Sequence, residues 1–175
     1  MASVSYPFGT SGVWKKIGTL YLPPGAPTVQ VLPFSNLNGN AMRAFKMLGH
    51  IRQTGAFAVN YEITANNNSG TWAKWGHMSN GAATTNSAAF CMRASSTNSW
   101  LNFEATIGAA AEPTTTPERV YQTTWGTYTA AGALELGGVG GGVWSDVTNN
   151  ITQLELRASN VTITAGSVVS LYYLT

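Results

Sequence analysis

The sequence predicts an all-β fold, an antiparallel β-sandwich of jelly-roll type with about eight to ten strands and at most one short helix. Three observations lead to this prediction. Apolar and polar residues alternate in several stretches, as they do in half-buried strands. Polar and glycine-rich turn clusters separate these stretches, and helical periodicity is nearly absent. Many short strands joined by such turns favour two packed antiparallel sheets.

The length and composition fit one folded domain over residues 1–175. A chain of 175 residues can bury a substantial core without disulfide bonds. Six Trp, seven Tyr and six Phe carry more apolar area than a disordered chain does. Charged residues make up only 9% of the sequence, against about 25% in a typical soluble domain. Uncharged polar residues and glycine must therefore cover most of the surface.

The charge and hydropathy patterns disfavour several classes of protein. The net charge is +2 and the only adjacent basic residues are Lys15 and Lys16, so no basic face for nucleic acid is expected. No stretch approaches the roughly 20 apolar residues of a membrane helix, and the N-terminus lacks an apolar signal segment. The single cysteine, Cys91, is predicted to be a small buried residue. We predict synthesis in a cytoplasm, with no membrane partner.

The first half of the chain contains two irregular β-rich stretches, one ambiguous segment and one regular strand. Its β-branched and aromatic residues predict strands over 13–22 and 28–32. The segment "NAMRAFKMLGHI" at Asn40–Ile51 fits either a helix of two or three turns that ends at Gly49 or an irregular strand. In "AFAVNYEIT", alternation predicts a strand whose inner face carries Phe57, Val59, Tyr61 and Ile63.

The second half contains the clearest alternation. Strands are predicted over 88–94 and 119–128 and at "ITQLELRA", where Leu154 and Leu156 face inward and Glu155 faces outward. The run "GGVGGG" at Gly137–Gly142 lacks the spacing of a phosphate-binding loop and is predicted to be a mobile turn. The stretch "SWLNFEATI" is predicted to be a strand with Leu101, Phe103, Ala105 and Ile107 on its inner face.

The final segment, "ITAGSVVSLYYLT", stays apolar to its end, which predicts that the terminus is tied into the fold. The pair Ala165-Gly166 is predicted to form the turn between strands over 161–165 and 168–174. These two strands are expected to pair as a closing hairpin, with the last strand inside a sheet. The final segment would then be apolar because its last strand packs into the fold.

Residues with catalytic chemistry are few. The chain has one aspartate, six glutamates and two well-separated histidines, and it contains neither a nucleophile motif nor a metal-ligand spacing. Glu62 and Glu104 exemplify a carboxylate pair that could hydrolyse a glycan, but both lie on polar strand faces, where a solvated carboxylate is the ordinary case. We predict a protein that is not an enzyme, with no catalytic residue, metal or cofactor.

The C-terminal stretch "WSDVTNNITQLELRASNVTITAGSVVSLYYL" resembles the ends of many small tailed-bacteriophage virion proteins. Those proteins close with a tryptophan, a short polar segment, an "I-x-x-I/L-x-L/I" strand, a turn and a strand built on "A-G-S-x-x-x-L-Y". Tyr173 stands where the family usually has glycine. The matching residues here are Trp144, Ile151, Leu154, Leu156, Ala165, Gly166, Ser167, Leu171 and Tyr172.

This resemblance implies a virion β-sandwich, commonly a homotrimer, and it does not imply an active site. A weakly charged surface also suits burial against symmetric neighbours. The leading hypothesis is a capsid decoration (cement) protein that binds the major capsid protein on the outside of a phage head. Residues 1–14 are a candidate docking arm, or equally the first strand and its lead-in. The docking contacts would be Tyr6, Phe8, Trp14, Lys15 and Lys16.

The alternative hypothesis is a receptor-binding module of a tail fibre or tail tip that recognises a host surface glycan. In "TWAKWGHMS", strand geometry puts Trp72 and Trp75 on opposite faces, so the two indoles cannot form one stacking platform. Trp75 beside His77 is the candidate glycan contact, and an ordinary core or subunit-contact tryptophan is the competing interpretation. The chain carries no long fibre shaft, which favours decoration over this alternative.

Overall fold

The computed structural model describes residues 12–54, 59–67, 72–79, 82–86, 92–94, 99–109, 119–144, 146, 149–158 and 162–175. At residues 54, 59, 72–79, 82–86, 93, 94 and 143 it describes the backbone alone. The predicted contacts Tyr6 and Phe8, and Cys91, lie outside the described residues.

The described residues are almost entirely β-structure, which confirms the predicted fold class. Their single helical element is a short 3-10 turn, Gly39–Ala41. Thirteen strands occur in this part of the chain, more than the eight to ten predicted. They are β1 Lys15–Tyr21, β2 Val31–Phe34, β3 Ala44–Thr54, β4 Val59–Ala65, β5 Trp72–Ser79, β6 Ala82–Asn86, β7 Met92–Ala94, β8 Trp100–Gly108, β9 Arg119–Tyr128, β10 Leu134–Trp144, β11 Leu154–Ala158, β12 Thr162–Ile163 and β13 Val168–Leu174.

The strands form two antiparallel sheets. The larger sheet has the order β1-β13-β3-β8-β9-β10-β5-β6, with the short β12 also paired to β3, and the smaller sheet has the order β2-β11-β4-β7. The chain passes repeatedly from one sheet to the other, because β1 is followed by β2, β3 by β4, β7 by β8 and β10 by β11 across the sandwich. This interleaving is compatible with a jelly roll to which two hairpins, β5-β6 and β9-β10, are added at one edge. The jelly-roll topology stays a prediction.

One apolar core lies between the two sheets. Leu32, Ile63 and Leu156 of the smaller sheet belong to the same buried cluster as side chains of the larger sheet. The predicted alternation of "SWLNFEATI" is confirmed, because its four apolar side chains are all buried while Asn102 and Glu104 are exposed. A buried hydrogen bond also crosses the core, where the Tyr61 hydroxyl donates to Gln53 Oε1 at 2.9 Å.

The ambiguous segment at Asn40–Ile51 forms a strand after the short 3-10 turn. In β3, Phe45, Met47 and Ile51 are completely buried, whereas His50 is exposed. Period-two burial of this kind matches a strand and not a helix. The outer face of β3 also carries Leu48, and this apolar residue is why the sequence looked helical as well as β.

The prediction of a mobile turn at Gly137–Gly142 is wrong. These residues lie inside β10, where five of eleven residues are glycine. The strand pairs with β9 on one side and with β5 on the other. Ladder hydrogen bonds on both sides hold the backbone extended, so the local preference of glycine for turns is overridden.

The closing strand β13 lies inside the larger sheet, between β1 and β3, as predicted. The predicted hairpin is wrong, because β12 and β13 both pair with β3 and not with each other. A turn does occur at Gly166, whose φ of 92° is left-handed. It loops around Arg52, whose backbone N–H donates to Ser167 Oγ at 2.9 Å and whose carbonyl accepts from the Thr164 N–H at 3.0 Å. The chain therefore returns to the same neighbour strand after the turn.

The outer face of the smaller sheet is less solvated than the alternation indicates. Glu155 and Thr64 fall on the predicted polar faces, but both are buried. Arg157 Nε donates to Glu155 Oε2 at 2.7 Å, and Thr64 Oγ1 donates to the same oxygen at 3.2 Å. Gln153 Nε2 donates to the other carboxylate oxygen. Buried charges need such partners, and this hydrogen-bonded set replaces the lost water contacts.

Candidate functional site

The outer face of the larger sheet carries the richest set of exposed aromatic and polar side chains among the described residues. Strand register arranges these side chains in rows that cross β3, β8, β9 and β10. The first row is Arg52, Trp100, Tyr128 and Leu134; the second is His50, Asn102, Gly126 and Gly137; the third is Leu48, Glu104, Thr124 and Val139.

A groove of about 710 Å³ runs over β8, β9 and β10 on this face. We call it the outer groove. Polar side chains line it, and Tyr128 and Leu134 close one end. The polar lining consists of Asn102, Glu104, Thr106, Gln122 and Thr124.

Two glycines form the floor of the outer groove. Gly126 and Gly137 lie opposite each other in the β9-β10 ladder, so both would project side chains from this face. Neither has a positive φ, so the backbone there does not require glycine. A Cβ at Gly137 would have only the Trp125 carbonyl oxygen as a close neighbour, at 3.5 Å. Glycine in a strand interior often marks close approach of a ligand or another backbone.

Tyr128 lies across one end of this floor. A Cβ placed on Gly126 would come within 3.4 Å of the Tyr128 hydroxyl oxygen and 3.5 Å of its Cε2. The outer end of the ring therefore rests above Gly126. The side chain is partly exposed and lines the groove, which makes it an aromatic platform beside polar groups.

A smaller depression of about 290 Å³ adjoins the groove and shares Asn102 and Phe103 with it. Here the His50 ring stacks on Trp100, with ring centroids 4.4 Å apart. Asn102 Oδ1 hydrogen-bonds to His50 Nδ1. The Arg52 guanidinium lies 5.6 Å from the centre of the Trp100 ring. Stacking and hydrogen bonding thus hold the His50 and Asn102 side chains in place next to the groove.

The charge in the outer groove is slight. Glu104 is the one charged residue among the described residues that line it, and its carboxylate pairs with Lys46 Nζ at 2.6 Å. Lys46 also lies 5.0 Å from the centre of the Trp14 ring. Because the groove presents mainly amide and hydroxyl groups, it suits an uncharged polar ligand better than an anion.

The predicted docking residues that the structure describes lie at the edge strand β1. Lys15 and Lys16 are exposed, and Trp14 is partly buried against Lys46. Next to them, Val13 is 69% exposed and Ile17 is 39% exposed. We call Val13, Lys15, Lys16 and Ile17 the edge patch. Their role in docking stays a prediction.

The predicted glycan contacts Trp75 and His77 lie in β5, whose backbone pairs with β10 and β6. His77 is opposite Gly140 in the β10 ladder. The side chains of both residues lie outside what the structure describes, so their role stays a prediction.

The two carboxylates considered for hydrolysis lie on opposite outer faces of the sandwich. Glu62 projects from β4 in the smaller sheet and Glu104 from β8 in the larger sheet. Burial raises the pKa of Glu62, and the nearby Arg157 guanidinium acts in the opposite direction. The structure therefore does not bring this pair into one site.

Comparison with models of known protein families gives no match, and comparison with curated proteins gives none either. Among the described residues, no group of three or more His, Cys, Asp or Glu side chains could hold a metal ion. No helix in the same part of the chain is long and apolar enough to cross a membrane. Function must therefore be argued from the geometry and from the C-terminal resemblance.

The sequence prediction missed Tyr128, Asn102, Gly126 and Gly137 as members of one site. They come from three strands, and only the strand register places them together. A signal was present in the glycines, because a glycine in the predicted strand 119–128 and a glycine run soon after it can meet across a hairpin.

Proposed function

We propose that this chain is a structural protein of a tailed-bacteriophage virion, most directly a capsid decoration protein. In this proposal it is made in the host cytoplasm and binds the major capsid protein on the outer surface of the head. It acts as a homotrimer and stabilises the shell by occupying many equivalent sites. The all-β sandwich and the position of the resembling C-terminal strand inside the larger sheet, between β1 and β3, support this proposal.

The observation that carries the proposal is the edge patch. In the described residues, β1 pairs only with β13 and forms one edge of the larger sheet. Exposed edge strands with apolar side chains invite further pairing, and proteins normally cover or charge them. Here Val13 and Ile17 are exposed, and the exposed Lys15 and Lys16 lie between them in the sequence. Exposed apolar side chains next to charged ones are typical of a protein-binding surface.

The substitution Ile17→Glu is expected to lower binding to virions about tenfold or more, because it replaces one of the two apolar side chains of the edge patch with a charge. The measurement adds purified protein to particles that lack it and counts the bound copies per particle. Val120→Glu is the matched control, since Val120 is an exposed β-branched residue of β9 outside the patch.

The control is expected to bind like the unmodified protein. Equal occupancy by the Ile17→Glu variant and the unmodified protein would show that the edge patch does not bind the capsid. Light scattering of the free protein tests the homotrimer separately, because a trimer has three times the mass of the 18.5 kDa chain.

A further inference from the structure

We propose that the outer groove is a binding site for a neutral carbohydrate, with Tyr128 as the stacking platform. The proposal goes beyond capsid decoration, because it assigns a second surface with a different kind of ligand. It also differs from the predicted glycan contact at Trp75 and His77, which lies on another strand.

The chemistry of the lining fits a pyranose ring. A sugar presents an apolar C–H face and a rim of hydroxyl groups, so it needs an aromatic surface beside donors and acceptors that project sideways. Tyr128 supplies the aromatic surface at one end of the floor. Asn102, Gln122 and Thr124 supply amide and hydroxyl groups that both donate and accept.

The glycine floor fits the same ligand. Gly137 leaves the β10 backbone without a covering side chain although its φ is not positive, and Gly126 opposite it lies under the outer end of the Tyr128 ring. A glycine of this kind weakens a strand, because it contributes no side-chain packing and loses more chain entropy on folding. A ligand that approaches the backbone closely accounts for the glycine at position 137.

The electrostatics select a neutral sugar over an anionic ligand. Among the described lining residues the one charge belongs to Glu104, and Lys46 already pairs with it. None of these lining residues is a cation that could receive a phosphate, a sulfate or a uronic acid. An acidic sugar would have to compete with Glu104 for Lys46.

The length of the depression favours a chain of sugars over a single one. The outer groove continues through Asn102 into the smaller depression beside His50 and Val168. Together they cross β13, β3, β8, β9 and β10, which is roughly 19 Å at about 4.8 Å between strands. The ligand class is therefore a neutral polysaccharide that lies across the strands.

The first test is an amide NMR titration with neutral methyl glycosides of glucose, galactose, mannose and N-acetylglucosamine, each up to about 100 mM. A shallow site with one aromatic platform gives a Kd on the order of 1–10 mM for one sugar. At least one glycoside is expected to give saturable shifts at Gly126 and Gly137. Methyl glucuronoside is expected to bind more weakly. Absence of saturable shifts with all four neutral glycosides would overturn the proposal.

Substitutions then test whether the sugar binds in the outer groove. Tyr128→Ala is expected to weaken binding about tenfold, and Tyr128→Phe is expected to keep most of it, because the ring face is retained. Gly137→Val is expected to abolish binding by filling the floor while leaving thermal stability equal or higher, since valine favours strands. Val13→Ala is the control, because Val13 is an exposed apolar residue that lines neither depression.

Unchanged affinity in both Tyr128→Ala and Gly137→Val would also overturn the assignment. These measurements use the free protein, so they are independent of whether it decorates a head. A protein that binds sugars and is absent from virions would contradict the proposed function alone.

Discussion

A chain shortened to residues 1–167 is expected not to reach the native sandwich. The deletion removes β13, which pairs with β1 on one side and β3 on the other. It also removes Val169 and Leu171, both completely buried in the core. Burial of each such side chain contributes about 1.5–3 kcal/mol, and domains of this size are stable by only about 5–15 kcal/mol in total. Loss of two ladders and two core residues exceeds what the fold can tolerate.

The measurement is the near-ultraviolet circular dichroism and the thermal transition of the shortened chain. We expect neither a native aromatic signal nor a cooperative transition. A milder variant, Leu171→Ala, is expected to fold with a loss of about 2–5 kcal/mol. The matched control is Ser170→Ala on the outer face of the same strand, which removes only the exposed Thr19–Ser170 hydroxyl contact of 2.7 Å and is expected to cost under about 1 kcal/mol. A shortened chain that keeps a cooperative transition would show that β13 is dispensable.

The substitution Gly49→Ala is expected to destabilise the protein by about 3 kcal/mol or more, although it adds a single methyl group. A Cβ on Gly49 would lie 2.0 Å from Phe103 Cε1 and 2.5 Å from Phe103 Cζ. Phe103 is directly opposite Gly49 in the β3-β8 ladder and is itself buried. The ring covers the glycine and cannot move without disturbing the core, so overpacking is severe.

Denaturant unfolding of four variants, Gly49→Ala, Gly18→Ala, Phe103→Leu and a double variant, tests this expectation. Gly18→Ala is the matched control, because Gly18 also lies in a strand of the larger sheet and has open space where its Cβ would be. We expect less than about 1 kcal/mol of change there. The double variant Gly49→Ala with Phe103→Leu is expected to lose less free energy of unfolding than the two single variants lose together, because the smaller side chain relieves the overlap. A loss at Gly49 no larger than that at Gly18 would contradict the packing described for Phe103.

Regular alternation made part of the fold predictable. The four buried residues of "SWLNFEATI" follow directly from period two, since the strand has one face on the core. The strand over 119–128 follows from its β-rich composition. The prediction of a buried final strand also held, because its apolar residues had no other place in a folded chain.

The sequence prediction failed where tertiary contacts override local preference. The glycines of β10 favour turns in isolation, yet two neighbouring strands hold them extended. Glu155 falls on a polar face, yet Arg157, Thr64 and Gln153 surround and bury it. The sequence predicted the turn at Gly166, but it did not predict that β12 and β13 both pair with β3, because that pairing depends on residues more than a hundred positions away. The local pattern of a strand contains no information about its partner at such a distance.

The candidate surfaces lie at different places on the larger sheet. The edge patch belongs to β1, at one end of the strand order, and the outer groove lies over β8, β9 and β10. One molecule could therefore bind a capsid through its edge while its outer groove binds a carbohydrate. The edge patch was partly predictable, because Trp14, Lys15 and Lys16 stand in a short apolar and basic segment.

In the proposed function a tailed phage encodes this polypeptide, and the most direct test is its copy number in the purified virions of that phage. Quantitative mass spectrometry would normalise its amount to that of the major capsid protein. A decoration protein is expected at a fixed stoichiometric ratio to the capsid lattice, in multiples of three if the homotrimer is correct. A handful of copies per particle would instead place it in the tail, and its absence from virions would contradict the account.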